Sequence, residues 1–354
     1  MDINEATSSY EKWMARHIPL VRSDLRLKHA RMVESAFAFL RGTFYRWAQL
    51  WPSVCPKLID APIVEAVGDL HLENFGTWRD VEGRLVWGVN DVDEASRLPY
   101  TNDLARLAAS SVLAIKEQHL GLTFWEACDA IVGGYRAALD TGGGPIVLAE
   151  RHQWLRRIAS SDLRDPESFW ARLEAQRPAT GPAPHAVLRS LMPVPGLKYR
   201  VVRRTAGMGS LGRPRFVALG SWGEGLIARE AKALLPSAAA WASGESPSVA
   251  DPCDVLRRAI RIPDPFFALR GRWLVRRLAP DCTRIEINDL PKRRDEAKLL
   301  RAMGWETANL HLGTHRAPVR KDVARRRGRW LERAATDMVD AVIQDWKDWR
   351  RSVP

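Results

Sequence analysis

The chain has 354 residues, 46% of them hydrophobic, which is enough for one large domain or two ordinary ones with a substantial core. Its net charge of +12 attracts polyanions such as nucleotides, nucleic acids and anionic lipids. No run of about 18 apolar residues and no basic, apolar leader occurs, so we expect a cytoplasmic protein without a membrane span. The four cysteines are far apart, which argues against a zinc cluster or a disulfide framework.

Apolar residues recur at helical spacing over 25–51, after the capping signal Ser23-Asp24, and predict a long amphipathic helical segment. Arg41 within it is a candidate phosphate ligand. An arginine near acidic residues on a helix is also commonly structural, so both interpretations of Arg41 stay open.

The stretch 67–95 concentrates the polar side chains that can carry chemistry. Asp69 and Asn74 lie on one short loop after a strand-like run, and a predicted hairpin then leads to Asp91 and Asp93. Strand, loop, hairpin and acidic turn in this order direct oxygen-bearing side chains at one point. Hard divalent cations such as Mg²⁺ bind carboxylates together with substrate phosphates, so these residues predict a metal site.

These motifs resemble known sequences. Asp69-Leu-His-Leu-Glu-Asn74 is similar to the catalytic loop of aminoglycoside- and choline-kinase-type phosphotransferases, and Gly88-Val-Asn-Asp-Val-Asp-Glu-Ala95 is similar to their metal-binding turn. Asp103-Leu-Ala-Arg106 resembles the helix start that follows that turn. The chain as a whole resembles the bacterial family of domain of unknown function 2252, whose label names no reaction.

The resemblance implies a role for each acidic residue. Asp69 would accept or orient the proton of an attacking hydroxyl, and Asn74 and Asp91 would hold Mg²⁺. Asp93 would hold a second ion or brace the loop. Asp103 would cap a helix and support the loop. His71 would either brace the loop through a hydrogen bond or take part directly in the reaction. An acidic loop network without any ligand is the structural alternative to this constellation.

A second candidate region begins after Pro193. The strand-like runs Leu197–Arg203 and Arg215–Leu219 flank Gly207-Met-Gly209-Ser210-Leu-Gly212. Glycines between two strands suit a flap over nucleotide phosphates, as in protein kinases, although an ordinary tight hairpin has the same pattern. We therefore expect Gly207, Gly209, Ser210 and Gly212 to contact ATP, and this assignment completes the predicted cofactors, ATP and Mg²⁺.

The strand that follows the flap carries a phosphate-binding lysine in the kinase families. Arg229 stands at that place in Arg229-Glu-Ala231 and is the predicted cofactor ligand. Arginine keeps the charge but is longer and planar, so the replacement is not conservative. Lys232, at the start of a helix-prone segment, is the rival.

The catalytic-type loop precedes the glycine flap, the reverse of the order in ordinary kinases. The resemblance thus implies an α+β, two-lobed, protein-kinase-like fold that is circularly permuted. Residues 1–193 and 281–354 would form a mainly helical lobe, and 194–280 a small antiparallel β lobe. Chain termini on a domain surface make such a rearrangement tolerable.

The predicted function is transfer of a phosphoryl group from ATP to an unidentified hydroxyl acceptor, and transfer of AMP is also compatible with these motifs. Two alternatives remain. Gly68-Asp-Leu-His71 resembles the opening motif of two-metal phosphoesterases, although their Gly-Asn-His segment is missing. Alternatively, the basic run Arg320 to Arg329 would bind nucleic acid or a scaffold partner, with a degenerate nucleotide fold behind it.

Overall fold

The computed structural model describes residues 1–159, 165–245, 252–282, 284 and 295–352. Helices and antiparallel sheets both occur in these ranges, which confirms the predicted α+β class. In the described part of the chain no helix has the length and apolar character that crossing a bilayer requires.

Fourteen helices lie within the described residues: α1 (Ile3–His17), α2 (Arg22–Glu34), α3 (Ala36–Gly42), α4 (Phe44–Val54), α5 (Tyr100–Lys116), α6 (Phe124–Thr141), α7 (Gln153–Ala159), α8 (Pro166–Glu174), α9 (His185–Ser190), α10 (Ala238–Ser243), α11 (Pro252–Arg258), α12 (Glu296–Leu312), α13 (Arg316–Arg325) and α14 (Trp330–Ser352). The predicted segment 25–51 is thus three helices rather than one. Ser35 and Thr43 interrupt it with non-helical backbone angles, and the Ser35 hydroxyl caps α3 by accepting from the Ala38 N–H.

The strands within the same residues are β1 (Ile63–Ala66), β2 (Phe75–Arg79), β3 (Leu85–Val89), β4 (Ser96–Pro99), β5 (Ile146–Val147), β6 (Tyr199–Arg203), β7 (Arg215–Trp222), β8 (Gly225–Ala233), β9 (Ala268–Arg270) and β10 (Trp273–Leu278). They form a pair β1-β4, a sheet in the order β2-β3-β5, and a sheet in the order β6-β7-β8-β10-β9. All five strands of the last sheet fall inside 194–280, the segment assigned to a small lobe from the sequence.

The pairing of the first four strands brings two acidic loops together. β1 pairs with β4 through Ala66 and Ser96, and β2 pairs with β3 through Phe75 and Val89. The loop between β1 and β2 and the turn between β3 and β4 therefore lie next to each other at both of their ends. The Asn90 N–H donates to the Asn74 carbonyl at 2.9 Å and joins them directly.

The large helical core surrounds α5, whose residues are buried from Tyr100 to Ala114. Burial on every side of one helix means that α5 can present polar side chains only to partners inside the protein. α12 and α14 both pack against it, together with α6. Asp103 and Arg106 are among the buried residues of this central helix that hold the first acidic loop.

Glycines allow α6 and α12 to pack unusually closely. A Cβ on Gly134 would overlap the Arg301 carbonyl oxygen, and a Cβ on Gly304 would overlap the Ile131 carbonyl oxygen. The obstacle at both positions is backbone, which cannot rotate away as a flexible side chain does. The two helices therefore depend on having no side chain at these two positions.

We predict that Gly304→Ala destabilises the protein by about 1–3 kcal/mol, the usual cost of overpacking, because the added methyl group must push the two helices apart. Alanine is the better helix former by about 1 kcal/mol, so a purely local effect would have the opposite sign. Urea unfolding measures the change. Gly144→Ala is the control, because a Cβ there meets nothing within 4 Å. Equal stability of the two variants would contradict the packing argument.

Candidate active site

A cavity of about 610 Å³ opens between the two acidic loops and the five-stranded sheet. Its lining includes seven of the predicted site residues: Asp69, Asn74, Asp91, Asp93, Gly207, Gly209 and Ser210. A Cβ on Gly209 would stand 3.2 Å from the Asp69 Oδ2 atom. The structure thus brings the early acidic loop and the late glycine segment face to face, although more than a hundred residues separate them in the chain.

Asp69 is held by the buried guanidinium group of Arg106. Both Nε and Nη2 of Arg106 donate to Asp69 Oδ1, the first at 2.8 Å, and Nη2 also donates to the Leu40 carbonyl. Burial raises the pKa of Asp69 to about 6; the charges of Glu94 and Asp91 act in the same direction, and Arg106 opposes them. A carboxylate with that pKa, fixed at one oxygen, is suited to take up a proton near neutral pH.

Asp103 fixes the loop that carries Asp69. Its buried carboxylate accepts from the Val67 and Gly68 N–H groups at 2.7 and 3.0 Å. On the other side it lies 3.1 Å from His311 Nε2, and His311 Nδ1 lies 2.8 Å from the Tyr135 hydroxyl. A carboxylate, an imidazole and a phenol therefore connect the loop to three helices.

His71 and Asn74 shape the rest of this loop. His71 Nδ1 accepts from the Glu73 N–H, and burial, together with the charges of Arg41 and Arg106, lowers the pKa of His71 well below its usual value. The imidazole is therefore neutral and caps a single 3₁₀ turn. The Asn74 amide oxygen accepts from the His71 N–H at 3.1 Å, while its nitrogen donates to the Asp91 carbonyl at 3.4 Å.

The second acidic turn places two carboxylates around one lysine. Lys232 forms an ion pair with Asp93 and lies 3.5 Å from Asp91 Oδ1. Burial and the charge of Asp91 raise the pKa of Asp93. Burial would also raise the pKa of Asp91, but Lys232 and Arg276 lower it overall. Asp91 therefore keeps its negative charge to a lower pH than Asp93 does.

The donor set fits a hard cation in part. Within the described residues no three histidine, cysteine, aspartate or glutamate side chains gather as a metal site. Two carboxylates and an amide are nevertheless a set that suits Mg²⁺, which usually keeps water and phosphate oxygens among its ligands. Asp93 Oδ1 is buried and makes no hydrogen bond to the described residues, so it has coordination capacity to offer.

Arg229 lies apart from these acids. Its Nε donates to the Leu191 carbonyl and its guanidinium stacks on Phe266, 4.6 Å from the ring centroid. β8 extends to Ala233, so Lys232 is in the strand and not at a helix start. Alternate residues of a strand point to opposite faces, which directs Lys232 toward the acids and Arg229 away from them.

The glycine segment is packed more deeply than a flap. Met208 and Leu211 are buried in the helical core, and a Cβ on Gly212 would overlap the Leu25 side chain. Gly212 therefore supports the segment from behind, whereas Gly207, Gly209 and Ser210 line the cavity. The strands on either side, β6 and β7, pair with each other as the sequence predicts.

The other basic residues singled out in the sequence make contacts within the protein. Arg41 lines the cavity and pairs with Glu73 of the catalytic-type loop at 2.7 Å. In the run Arg320 to Arg329, Arg320 pairs with Asp140 and Arg326 stacks on Trp330. In the predicted nucleic-acid surface Arg326 is therefore engaged within the protein, whereas Arg320 is 58% exposed in a surface ion pair.

Sequence reasoning missed most of the cations of the site. Arg106 stood in the quoted Asp103-Leu-Ala-Arg106 motif, and only its three-residue spacing from Asp103, close to one helical turn, hinted that it points toward the acidic loop. Arg204, Arg215 and Arg276 line the cavity as well, and nothing in their spacing distinguishes them from the many other arginines. Glu230, which they surround, stood in the Arg229-Glu-Ala231 motif without an assigned role.

Comparison with known proteins adds one finding. A family model described as "Uncharacterized protein conserved in bacteria (DUF2252)" matches residues 20–177, which include both acidic loops but not the glycine segment. No curated protein and no solved structure gives a significant match. Any function must therefore be argued from the geometry of the cavity.

We predict that Asp103→Asn destabilises the fold by about 3–5 kcal/mol, the range for removing one partner from a buried charged network. The amide nitrogen would face backbone N–H groups or His311, so at least one donor would lose its acceptor. Asp140→Asn is the matched control, since the Asp140 carboxylate is 58% exposed and its ion pair with Arg320 contributes little. Urea unfolding compares the two variants, and a small, equal effect would show that the Asp103 network is dispensable.

Proposed function

We propose that the protein is an ATP- and Mg²⁺-dependent phosphotransferase that acts on a hydroxyl acceptor. The observation that carries the proposal is the convergence of Asp69, Asp91 and Asp93 on one cavity, with Lys232 paired to Asp93 directly behind its wall. Phosphoryl transfer needs little covalent help from a protein and depends on positioning and neutralisation of charge. A base, metal-binding carboxylates and a lysine at one cavity meet those needs.

Asp69 is the proposed base. Arg106 occupies Oδ1, which leaves Oδ2 on the side of the glycine segment. An acceptor hydroxyl in the cavity would donate its proton toward this second oxygen. The raised pKa of Asp69 favours acceptance of that proton, because the protonated carboxyl is less costly to bury than the carboxylate.

Asp91, Asp93 and Asn74 are the proposed metal ligands. A bound Mg²⁺ supplies neutralisation of the negative charge on the phosphate oxygens. It would also relieve the repulsion between the two carboxylates, which at present share Lys232. The Asn74 amide would brace the turn through Asp91, as it does in the structure, and offer its oxygen as a further donor.

Lys232 is the proposed partner of the nucleotide phosphates. Its side chain is only 4% exposed and carries the ammonium group from β8 to Asp91 and Asp93. A lysine presents a compact charge that can pair with a phosphate oxygen without a fixed fork geometry. Gly207, Gly209 and Ser210 would line the nucleotide's path in the cavity, and the kinase-like, permuted arrangement of the two segments is part of this proposal.

The two rival functions receive less support. A two-metal phosphoesterase needs more ligands than the two acidic turns provide, and no three such side chains gather among the described residues. A nucleic-acid surface on Arg320 to Arg329 would compete with the ion pair of Arg326 with Asp322 and its stacking on Trp330, although Arg320 is exposed and only weakly paired. The hydroxyl phosphotransferase therefore remains the preferred interpretation.

The pH dependence of Mg²⁺-dependent ATP turnover tests the role of Asp69. Since the base acts when ionised, we expect kcat/KM to rise as the pH passes through about 6 and to level off above it. Asp69→Asn should lower turnover by about 10²–10⁴-fold, the usual contribution of a general base. Asp140→Asn serves as control, and a pH profile that is flat between 5 and 8 would contradict the assignment.

Two positions three residues apart on β8, on opposite faces of the strand, test which face meets the nucleotide. Lys232→Met should abolish measurable Mg-ATP binding, because it removes the buried ammonium group and leaves Asp91 and Asp93 without their cation. Arg229→Met should retain binding within a few-fold, since Arg229 contacts Leu191 and Phe266 on the opposite face. Calorimetric titration measures both, with thermal unfolding to verify that each variant folds. The reverse ranking would restore Arg229 as the phosphate ligand.

A further inference from the structure

Three arginines surround one buried glutamate at the wall of the cavity. Arg204 Nη1 lies 2.6 Å and Arg215 Nη1 3.4 Å from Glu230 Oε1, and Arg276 Nε lies 2.7 Å from Oε2. We call Arg204, Arg215 and Arg276 the arginine layer. The Glu230 side chain is 1% exposed, so its carboxylate is shielded from solvent and is stabilised by these arginines.

Strand register explains why these side chains meet. Arg276 and Glu230 are direct cross-strand partners between β10 and β8, and Arg215 is opposite Lys232 between β7 and β8. Partners that are opposite each other project from the same face of a sheet, and so do residues two apart in one strand. Arg215, Arg276 and Lys232 therefore share one face with Glu230, next to Asp91 and Asp93. Arg204 follows the last residue of β6, donates its backbone N–H to the Arg215 carbonyl and reaches the same glutamate.

The charges in this group do not balance. Four cations, Arg204, Arg215, Arg276 and Lys232, lie against three carboxylates, Glu230, Asp91 and Asp93, which leaves one positive charge uncompensated within the group. The three arginines line the cavity, whereas Glu230 is buried behind them. The pKa of Glu230 is well below its usual value because the arginines outweigh the effect of burial, so the carboxylate stays ionised.

A purely structural role accounts poorly for this excess. One buried carboxylate can be satisfied by a single bidentate arginine, and each further arginine brings a desolvation cost and repels the others. Arg204 and Arg276 are nevertheless about a quarter exposed, 25% and 26%, so each can turn donors toward the cavity. An anion in the cavity would supply the missing negative charge.

We propose that the arginine layer binds the phosphate chain of the nucleotide, with side chains and not a glycine flap as the main phosphate ligands. The proposal rests on the proposed function for the identity of the anion. Guanidinium groups match phosphate oxygens with two parallel hydrogen bonds. The Glu230 carboxylate holds the three guanidinium groups close together, and Lys232 and the proposed metal-binding acids lie next to them.

Calorimetric titration with inorganic tripolyphosphate in Mg²⁺-free buffer tests the site without the nucleoside. We expect saturable binding that weakens as salt is added, and among nucleotides an affinity order of ATP above ADP above AMP. Arg204→Gln and Arg276→Gln should each weaken tripolyphosphate binding by about tenfold or more, as loss of a charged hydrogen bond implies. Thermal unfolding verifies that each variant folds.

Arg277→Gln is the matched control, because Arg277 is adjacent in β10 but projects from the other face, donating to the Arg79 carbonyl and stacking on Phe266. Absence of tripolyphosphate binding to the wild type, or equal binding by all variants, overturns the arginine layer as the phosphate site. If Mg-ATP is still turned over in that case, the proposed function survives. Arginine-dependent tripolyphosphate binding without any phosphoryl transfer supports the site and overturns the proposed function.

Discussion

The carboxylate of Asp103 is the interaction on which the rest of the site depends. It lies on α5, which the helical core encloses, and it accepts hydrogen bonds from the two backbone N–H groups that precede Asp69. His311 binds its other side and ties α12 to the same point. Because backbone groups are held, the path of the acidic loop is fixed before any side chain of the cavity is considered.

Close packing and the polar network reinforce each other. Gly134 and Gly304 let α6 and α12 approach each other, and these two helices carry Tyr135 and His311. The hydrogen bonds between phenol, imidazole and carboxylate require that spacing. A buried hydrogen-bond network of this kind stabilises the fold only when each member has its partner. The network therefore depends on the close helix packing that the two glycines allow.

The cavity is organised as alternating layers of charge. Arg106 faces Asp69, and Lys232 faces Asp93, while Glu230 lies behind Arg215. Each buried ion has an opposite charge close by, which limits the cost of removing it from water. The excess of cations on the sheet and of carboxylates on the loops leaves room for a ligand that carries both a metal ion and phosphates.

Much of the site could be read from the chain itself. Alternating apolar residues and turn signals indicated the strands around Asp69 and Asp91, and the spacing of those acids indicated that both loops would meet. The strands around Gly207 to Gly212 followed from the same local pattern. The sequence could not settle whether Lys232 or Arg229 faces the acids. The answer depends on whether β8 extends as far as residue 232, and the alanine-rich sequence there is compatible with either a strand end or a helix.

The sequence by itself determined the elements of secondary structure and the acidic pair of loops, because periodicity and turn chemistry act over a few residues. Tertiary structure alone decided the approach of Gly209 to Asp69, the burial of Arg106 and the grouping of three arginines around Glu230. Those contacts join residues far apart in the chain. Their geometry is set by sheet register and helix packing, which no local pattern encodes.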